Sequence, residues 1–550
     1  MVLALACCFG VLLRAGAIAR ADDSEPRLAI VEGKVVHGIS KEPLRKAHVS
    51  LDSADANAET SWIATTDDSG EFRFADVKPG RYRLNAGKAG FLDGAYGASE
   101  PRNNGSILKV DAGDHTRDLT LLLSPGASIS GRVLDPDGDP VPEGTVVLWG
   151  RRAGKTHRSY SSGTNRAGEY ELDGLSAGTY YVSAEAGPWG YAVPGLPVDG
   201  SGKITKLRDL ATFFPAALSL ADAQAITVEA GQEQSGIDIR IQRGLTFGLK
   251  GKIAGASGPS SQYTLSATAV NGAGWTSERG TILPNGDFSF NQLPPGKHRL
   301  VLWKGASGAD IVGKAEVNVA DQDLVGVTIA PYKPAEIRIR VVIEGEEDKP
   351  LTAGSVSLLS AEDGDSSEQY AVDYQPRNGT YTLRGVTPGK YKLWFNNAAH
   401  SYLKSVRSGD TPQNPESVEV AEAASMDVVM TFSRNGADLS GDVGLPEGQA
   451  KAAVRIVVVP QDTPAFFGQR RRYPDLDQYS HFSAPDMPPG KYVVFAAEEG
   501  KSDLWTKPEF VNALKEQGTE VELREKEHVS VHLKLITKEE TDQARKRLGL

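Results

Sequence analysis

The stretch FRFADVKPGRY, from Phe72 to Tyr82, decides the fold, because it returns four more times along the 550 residues. The other copies are YELDGLSAGTY (170–180), FSFNQLPPGKH (288–298), YTLRGVTPGKY (381–391) and FSAPDMPPGKY (482–492). Each opens with an aromatic residue, has an apolar residue five places later, and closes on Tyr or His two places after a glycine. Aromatic and apolar residues alternate with polar ones, which indicates a strand with one buried face. The Pro-Gly pair of four copies then reverses the chain by supplying a fixed φ at Pro and a positive φ at Gly, so the phrase predicts strand, turn, strand.

The spacing of the copies predicts whole domains in tandem. The glycines that precede the closing aromatic residues lie 98, 118, 93 and 101 residues apart. Solenoid repeats are shorter, at roughly 20–50 residues. Four copies also have a glycine two places before the first aromatic residue, where the fifth has Ser480. We therefore expect the turn before the fifth copy to differ from the other four.

The recurring phrase divides the chain into five modules of short strands, and each module is expected to be a small antiparallel Greek-key β-sandwich. The fold class is thus all-β. The predicted boundaries are 1–21 for a signal peptide, 28–124 for module 1, 125–243 for module 2 with an insertion at 187–220, 244–333 for module 3, 334–435 for module 4, 436–536 for module 5, and 537–550 for a charged, frayed helical tail.

The opening of module 2, GRVLDPDGDPVPEGTV from Gly131, carries a family resemblance together with the phrase that follows it. This pattern resembles the carboxypeptidase regulatory-like domain, a transthyretin-like β-sandwich classed with carbohydrate-binding-like folds. Module 2 matches it best and module 1 matches it well. Modules 3 to 5 match only in the repeated phrase and in the hairpin that ends each module, which reads VDAGDHTRDLTLLL in module 1. The resemblance implies a fold, and it implies a non-catalytic role, because this domain is the non-catalytic companion in the enzymes that carry it.

Composition and the N-terminal segment set the expected location. The net charge is −11, which gives no broad attraction to nucleic acid or anionic lipid. Val2 to Leu13 is an apolar run too short to span a bilayer, and Ala19-Arg20-Ala21 follows it as a cleavage site, although no basic residues precede the run. Both cysteines, Cys7 and Cys8, fall inside this segment. We therefore expect an exported chain, secreted, periplasmic or at the cell surface, with neither a disulfide nor a transmembrane segment after cleavage.

Catalytic and metal-binding motifs are absent from the sequence. None of the nine histidines is followed by Glu three places later, and there is no H-E-x-x-H or G-x-S-x-G motif. The stretch DPDGDPVPE from Asp135 has acidic residues at calcium-loop spacing, but the sixth and twelfth positions are Pro140 and Val146. A β-turn explains that stretch better. We predict no enzyme activity, no catalytic residues, no cofactor and no metal site.

Aromatic residues give the candidate ligand-binding site. Trp189, Tyr191, Phe213 and Phe214 lie in the Gly- and Pro-rich insertion of module 2, outside the sandwich pattern. Exposed aromatic rings on one face would stack on sugar rings. The alternative is that the insertion folds back and buries them against module 2. Trp303 and Trp394 follow the repeated phrase at strand spacing and are expected in the core.

The sequence leaves several functions open. The first is a non-catalytic binding or spacer protein at the cell envelope or outside the cell, with a polysaccharide or another envelope protein as its partner. The second is carbohydrate binding through the aromatic residues of module 2. The third is a structural stalk or adhesin that binds no small ligand and has an extended scattering profile.

Overall fold

The structure is a computed structural model. The residues that it describes are 27–54, 61–98, 101–102, 105–152, 155–187, 206–255, 262–270, 277–304, 310–346, 354–360, 372–375, 379–396, 401–445, 454–461, 472–498 and 504–549. The predicted signal peptide, 1–21, lies outside these residues.

The described residues are 61% strand and 6% helix, which confirms the all-β prediction of a tandem array of five β-sandwiches. Each sandwich has its own cluster of buried apolar side chains, so there is no single continuous core among the described residues. The predicted module numbers are kept below as names for these segments.

The strands are numbered in chain order. Module 1 contains β1 (Ala29–His37), β2 (His48–Ser53), β3 (Ser61–Thr65), β4 (Glu71–Val77), β5 (Gly80–Gly87), β6 (Gly94–Ala95), β7 (Leu108–Val110) and β8 (His115–Leu123). Module 2 contains β9 (Ala127–Leu134), β10 (Thr145–Arg152), β11 (Lys155–Gly163), β12 (Glu169–Leu175), β13 (Gly178–Glu185), β14 (Leu207–Leu210), β15 (Thr212–Phe213), β16 (Ile226–Val228), β17 (Glu233–Gln234), β18 (Ile239–Arg240) and β19 (Gln242–Leu245). Module 3 contains β20 (Phe247–Ile253), β21 (Tyr263–Ala269), β22 (Glu278–Ile282), β23 (Asp287–Leu293), β24 (Gly296–Lys304), β25 (Asp310–Val319) and β26 (Leu324–Ile329).

The last two modules continue the same pattern. Module 4 contains β27 (Ala335–Ile343), β28 (Ser355–Ser360), β29 (Val372–Gln375), β30 (Thr380–Val386), β31 (Gly389–Asn396), β32 (Tyr402–Ser408), β33 (Thr411–Pro412), β34 (Val418–Val420) and β35 (Ser425–Ser433). Module 5 contains β36 (Ala437–Gly444), β37 (Val454–Pro460), β38 (His481–Met487), β39 (Gly490–Glu498), β40 (Thr519–Leu523) and β41 (His528–Ile536), with helices α1 (Pro508–Ala513) and α2 (Lys538–Leu548). No helix in the described part of the chain combines the length and apolar character needed to cross a bilayer.

The two strands of the repeated phrase do not pair with each other in any module, and in modules 1, 2 and 4 they lie in separate sheets. In module 1, β4 pairs antiparallel with β1 in the order β4-β1-β8, whereas β5 lies in the second sheet, in the order β3-β2-β5-β6. The phrase is therefore a corner between two sheets rather than a hairpin within one. The opening strand also pairs in parallel with the closing strand, β1 with β8, and the same parallel pairing recurs in all five modules.

The closing residue of the phrase locks this corner. In every copy its side chain forms a hydrogen bond with the backbone carbonyl oxygen four residues earlier, on the other side of the turn. The five pairs are Tyr82 with Lys78 at 2.7 Å, Tyr180 with Ser176 at 2.8 Å, His298 with Pro294 at 2.8 Å, Tyr391 with Thr387 at 2.9 Å and Tyr492 with Pro488 at 2.7 Å. Tyr and His occupy this position because a ring of this length carries a polar atom to that carbonyl while its body fills the core.

The turn before the fifth copy does not differ from the others, so that prediction is wrong. Ser480 has a φ of 68°, close to the 72° of Gly70 and of Gly168. The carboxylate Oδ1 of Asp477 accepts hydrogen bonds from the backbone N–H groups of Tyr479 and His481, both at 2.8 Å. Asp67 and Asn165 make the same two contacts in modules 1 and 2. The side chain that caps the turn holds a serine in the left-handed conformation that glycine adopts at little cost.

Module 5 has a second core on the outer face of its sheet. Helix α1 and the residues before it place Trp505 and Phe510 on the outward side chains of β37 and β39. Helix α2 begins with a capping box formed by Thr537 and Glu540, and its Ala544 is buried in this second core. The tail is therefore helical, as expected, but capped and packed rather than frayed.

Candidate functional site

The structure describes two of the four aromatic residues proposed as a ligand site, Phe213 and Phe214. Phe213 is only 1% exposed, pairs with Ser183 in the sheet, and packs against the ring of Trp149 with 5.8 Å between centroids. Phe214 is half-buried and packs against the core of module 2. Phe213 and Phe214 therefore pack against module 2 rather than forming an exposed face. Trp189 and Tyr191 lie outside the described residues, so a ligand contact through them stays a prediction.

Neither of the two tryptophans expected in the cores belongs to a core cluster. Trp303 is half-buried, and its indole N–H donates to the hydroxyl of Ser266 at 3.4 Å. Trp394 is 48% exposed, so the prediction that it lies in the core is wrong. The reason is the alternation of the strand: Leu393 and Tyr391 point into the core of module 4, and Trp394 therefore points outward.

The stretch that begins at Asp135 is a turn, as predicted. The carboxylate Oδ1 of Asp135 accepts hydrogen bonds from the backbone N–H groups of Asp137, Gly138 and Asp139 at 2.8–2.9 Å. The contact with Asp139, together with those to Asp137 and Gly138, lowers the pKa of Asp135. No three His, Cys, Asp or Glu side chains in the described part of the chain lie close enough together to share a metal ion.

Modules 1 and 5 contact each other, although 392 residues separate the two members of their ion pair. Arg83 Nη2 lies 2.7 Å from Asp475 Oδ2, and both side chains are about one-third exposed, at 30% and 33%. The backbone of Ile107 donates to Leu476 O at 3.1 Å, and Ile107 forms a parallel bridge with Asp477.

One glutamine completes the pairing between modules 1 and 5. The side chain of Gln478 accepts from Lys109 N at 2.9 Å and donates to Lys109 O at 2.7 Å, in the manner of another strand residue. Burial raises the pKa of Tyr96 in module 1, and the nearby Tyr479 of module 5 raises it further. We call this set of contacts, Arg83, Ile107 and Lys109 with 475–478, the clasp.

Consecutive modules also contact each other, so the clasp closes the array. Arg102 of module 1 donates to Gly174 O of module 2 at 3.2 Å, and Lys206 lies 2.9 Å from Asp323 of module 3. At the next junction, the backbone N–H of Ala423 in module 4 donates to Lys333 O of module 3 at 2.9 Å. Lys404 and Glu525, 3.8 Å apart, join modules 4 and 5.

A cleft of about 700 Å³ lies on the outer face of the second sheet of module 1, beside the clasp. Its lining consists of His48, Val49, Ser50, Ile63, Arg83, Asn85, Ala86, Gly87, Asp93, Gly94, Ala95 and Arg102. Arg83 reaches module 5 and Arg102 reaches module 2, so the cleft lies where three modules meet. Ligand sites often occupy such junctions, and this volume falls within their usual range of about 300–1,000 Å³.

A carboxylate next to the cleft orders the polar groups of its floor. Asp52 accepts hydrogen bonds from Ser50 at 2.7 Å, Ser61 at 2.6 Å and the Asn85 amide nitrogen at 3.1 Å. Burial opposes ionisation of Asp52, but these three hydrogen bonds outweigh it and lower the pKa. The Asn85 amide therefore gives its nitrogen to Asp52, which leaves its carbonyl oxygen to accept. No sequence motif marked this site, because its residues come from strands and loops spread over 48–102.

The comparisons with known proteins agree with the fold. The model of the carboxypeptidase regulatory-like domain matches residues 30–121 and 128–205, which confirms the resemblance in modules 1 and 2 and the presence of repeats of this domain type. No curated protein is similar enough in sequence to count as a relative.

Several solved structures match part of the chain at low sequence identity. A minor pilin of Streptococcus agalactiae is 16% identical, with 39% of this chain and 97% of that one covered and a TM-score of 0.21. The major pilin subunit of Bacillus cereus is 10% identical, with 56% and 99% covered and a TM-score of 0.14. The Bacillus anthracis TIE protein is 15% identical, with 55% of this chain and half of that one covered and a TM-score of 0.16. Similarity at this level carries no argument about what this chain binds.

Proposed function

We propose, from the carboxypeptidase regulatory-like domains of modules 1 and 2 and the contact between modules 1 and 5, that this chain is an exported, non-catalytic binding protein of the cell envelope or the extracellular space. The observation that carries the proposal is the clasp, with its adjacent cleft. An array that serves only as a spacer gains nothing from bringing its two ends together. An array that binds gains a site built from several modules.

The expectation of export rests on the N-terminal segment, 1–21, and the expectation of a non-catalytic role rests on the family and on the missing catalytic motifs. A spacer or stalk is the second candidate. The short proline-containing junctions, such as 124–127, favour it because they limit bending. The two candidates differ in the distance between the chain ends.

Small-angle X-ray scattering of residues 22–550 separates the two candidates. A domain of about 100 residues has a radius of gyration of about 13 Å, so five in a straight row give about 50 Å overall, whereas one compact body of this length gives about 24 Å. The closed array is expected much nearer the compact value. An experimental value near that of the straight row contradicts the proposal.

A charge reversal tests the clasp itself. Arg83→Glu places two carboxylates together at the contact with Asp475 and is expected to raise the radius of gyration or to broaden the distribution of distances. Arg81→Glu is the matched control, because Arg81 is exposed on the same strand, two residues from Arg83. Equal scattering from the two variants and the unmodified chain would show that the ion pair does not hold the ends together.

A further inference from the structure

The outer face of the second sheet is covered differently in different modules, and comparable positions can be found by counting from the closing aromatic residue of each phrase. The residues one, three and five places later point away from the core. They are Arg83, Asn85 and Gly87 in module 1, and Val493, Phe495 and Ala497 in module 5. The neighbouring strand contributes Ser50 and Asp52 in module 1, where module 5 has Val457 and Val459.

Apolar residues occupy this face where the chain covers it. In module 5, Val457, Val493 and Phe495 are at most 1% exposed, because α1, α2 and Trp505 pack on them. In module 2, the residue equivalent to Asn85 is Ser183, which is fully buried and accepts a hydrogen bond from the indole of Trp149 at 2.8 Å. The composition of this face therefore follows what lies on it.

In module 1, both the composition of this face and what lies on it are different. At the positions where module 5 has valine and phenylalanine, module 1 has a hydroxyl, a carboxylate, a guanidinium and an amide, and this face lines the 700 Å³ cleft. In the described part of the chain, the amide of Asn85 and the hydroxyl of Ser50 are held in place by Asp52, and both residues are only half-buried. A concave face that combines these ordered polar groups with apolar surface suits a ligand that presents both polar and apolar groups.

The charges and the geometry of the cleft narrow the class of ligand. Arg83 is paired with Asp475, and the lining has both Asp93 and Arg102 at its rim, so its formal charges nearly balance. A strongly anionic or cationic ligand gains little from such a lining. The cleft lies on the face of the sheet, and an extended peptide usually adds to a sheet edge, where backbone groups are free. The side chain of Ile63, 77% exposed, offers an apolar contact beside these polar groups.

We infer that the module 1 cleft binds an uncharged oligosaccharide, with Asn85, Asp93 and Arg102 contacting its hydroxyl groups and Ile63 packing on a sugar ring. Carboxylate and guanidinium groups present two polar atoms in one plane, and pairs of neighbouring sugar hydroxyls fit this spacing. The carbonyl oxygen of Asn85, whose nitrogen donates to Asp52, accepts from a single hydroxyl. The inference rests on the proposed binding function, and it places the saccharide in module 1 rather than on the module 2 aromatic residues.

The test is calorimetric titration of residues 22–550 with cellotetraose, fully N-acetylated chitotetraose, maltotetraose and xylotetraose, and with a hyaluronan tetrasaccharide and a tetra-alanine peptide as probes of the other classes. At least one neutral saccharide is expected to bind. Asn85→Leu and Ser50→Val, which make the face resemble module 5, are expected to weaken that binding about tenfold or more. Trp394→Ala, at the equivalent position of module 4, is expected to leave it unchanged.

Hydrogen exchange of module 1 checks that the variants fold. If either substitution disturbs the fold, Arg102→Gln, at the exposed rim of the cleft, replaces it as the test variant. No binding of any neutral saccharide at millimolar concentration overturns the inference, as does binding of only the acidic or the peptide probe. Undiminished binding by folded Asn85→Leu and Arg102→Gln overturns the assignment to this cleft. The scattering measurement is independent of these results, so a closed array that binds no saccharide would refute only the ligand class.

Discussion

Removing one hydroxyl group from the corner of module 5 gives the sharpest test of how the repeated phrase holds each sandwich together. Tyr492 is 1% exposed, and its hydroxyl donates to the carbonyl oxygen of Pro488, itself a buried residue, at 2.7 Å. Tyr492→Phe keeps the ring, so no cavity forms in the core. It leaves a buried acceptor without this donor, which costs about 1–3 kcal/mol.

The same substitution in module 2 is the matched control. Tyr180 makes the equivalent hydrogen bond with Ser176 at 2.8 Å, but both residues are half-buried. Water can replace the lost donor there, so Tyr180→Phe is expected to cost about 0.5–1 kcal/mol. The difference between the two variants isolates the effect of burial, because the chemistry and the position in the fold are the same.

Native-state hydrogen exchange measured by mass spectrometry suits an array of several domains, since it reports the opening of each segment separately. In Tyr492→Phe, the amides of Gly490–Glu498 are expected to exchange about 5- to 150-fold faster, and those of module 1 strands away from the clasp to keep their rates. In Tyr180→Phe, the amides of Gly178–Glu185 are expected to change by about fivefold or less. Equal effects in the two modules, or none in module 5, would refute the corner as a source of stability.

Three further predictions concern buried groups in other modules. Burial lowers the pKa of His298 below its usual 6.5, although its hydrogen bond to Pro294 has a raising effect. The unfolded chain therefore binds this proton more readily than the folded one, so module 3 has its full stability above pH 6.5 and becomes less stable as the pH falls. His298→Phe is expected to remove this loss in exchange measurements between pH 7 and pH 5, and a retained pH dependence would assign it to another group. Phe213→Ala is expected to cost about 3–5 kcal/mol in module 2, and exposed Trp394→Ala less than about 0.5 kcal/mol in module 4; similar costs would contradict the buried position of Phe213. A Cβ atom at Gly251 would lie 2.2 Å from Val327 O, so Gly251→Ala is expected to destabilise module 3 by about 2–4 kcal/mol in urea unfolding, whereas unchanged stability would show that β26 can move aside.

The fold was predictable because the information for each module is local. The alternation around Phe72 and Phe74, and the turn that follows, recur five times, and a period near one hundred residues gives the number of sandwiches. The corner hydrogen bond was also within reach of sequence reasoning, since Tyr or His closes every copy. The signal is that a ring with a polar atom closes every copy at a position that is otherwise buried. Such an atom needs a hydrogen-bond partner, and the remaining step was to ask which carbonyl oxygen it meets.

The candidate site was not predictable, for two physical reasons. The clasp joins residues 392 positions apart, and no periodicity relates Arg83 to Asp475. The cleft is defined by polar residues on the solvent side of a strand, where alternation predicts polar residues whatever the function. The exposed position of Trp394 was missed for a related reason: a large aromatic residue was assigned to the core by type, although its neighbour Leu393 already occupied the inward position.

The turn before the fifth phrase connects local structure to the closure of the array. Asp477 caps the left-handed turn at Ser480 through its side chain, and its backbone forms the bridge to Ile107 of module 1. Leu476, beside it, bridges to Phe482 at the start of the phrase. The segment that closes the array is therefore fixed by the same turn that starts the last corner. It follows that a change which frees this turn opens the clasp as well as weakening module 5, whereas Arg83→Glu opens the clasp alone.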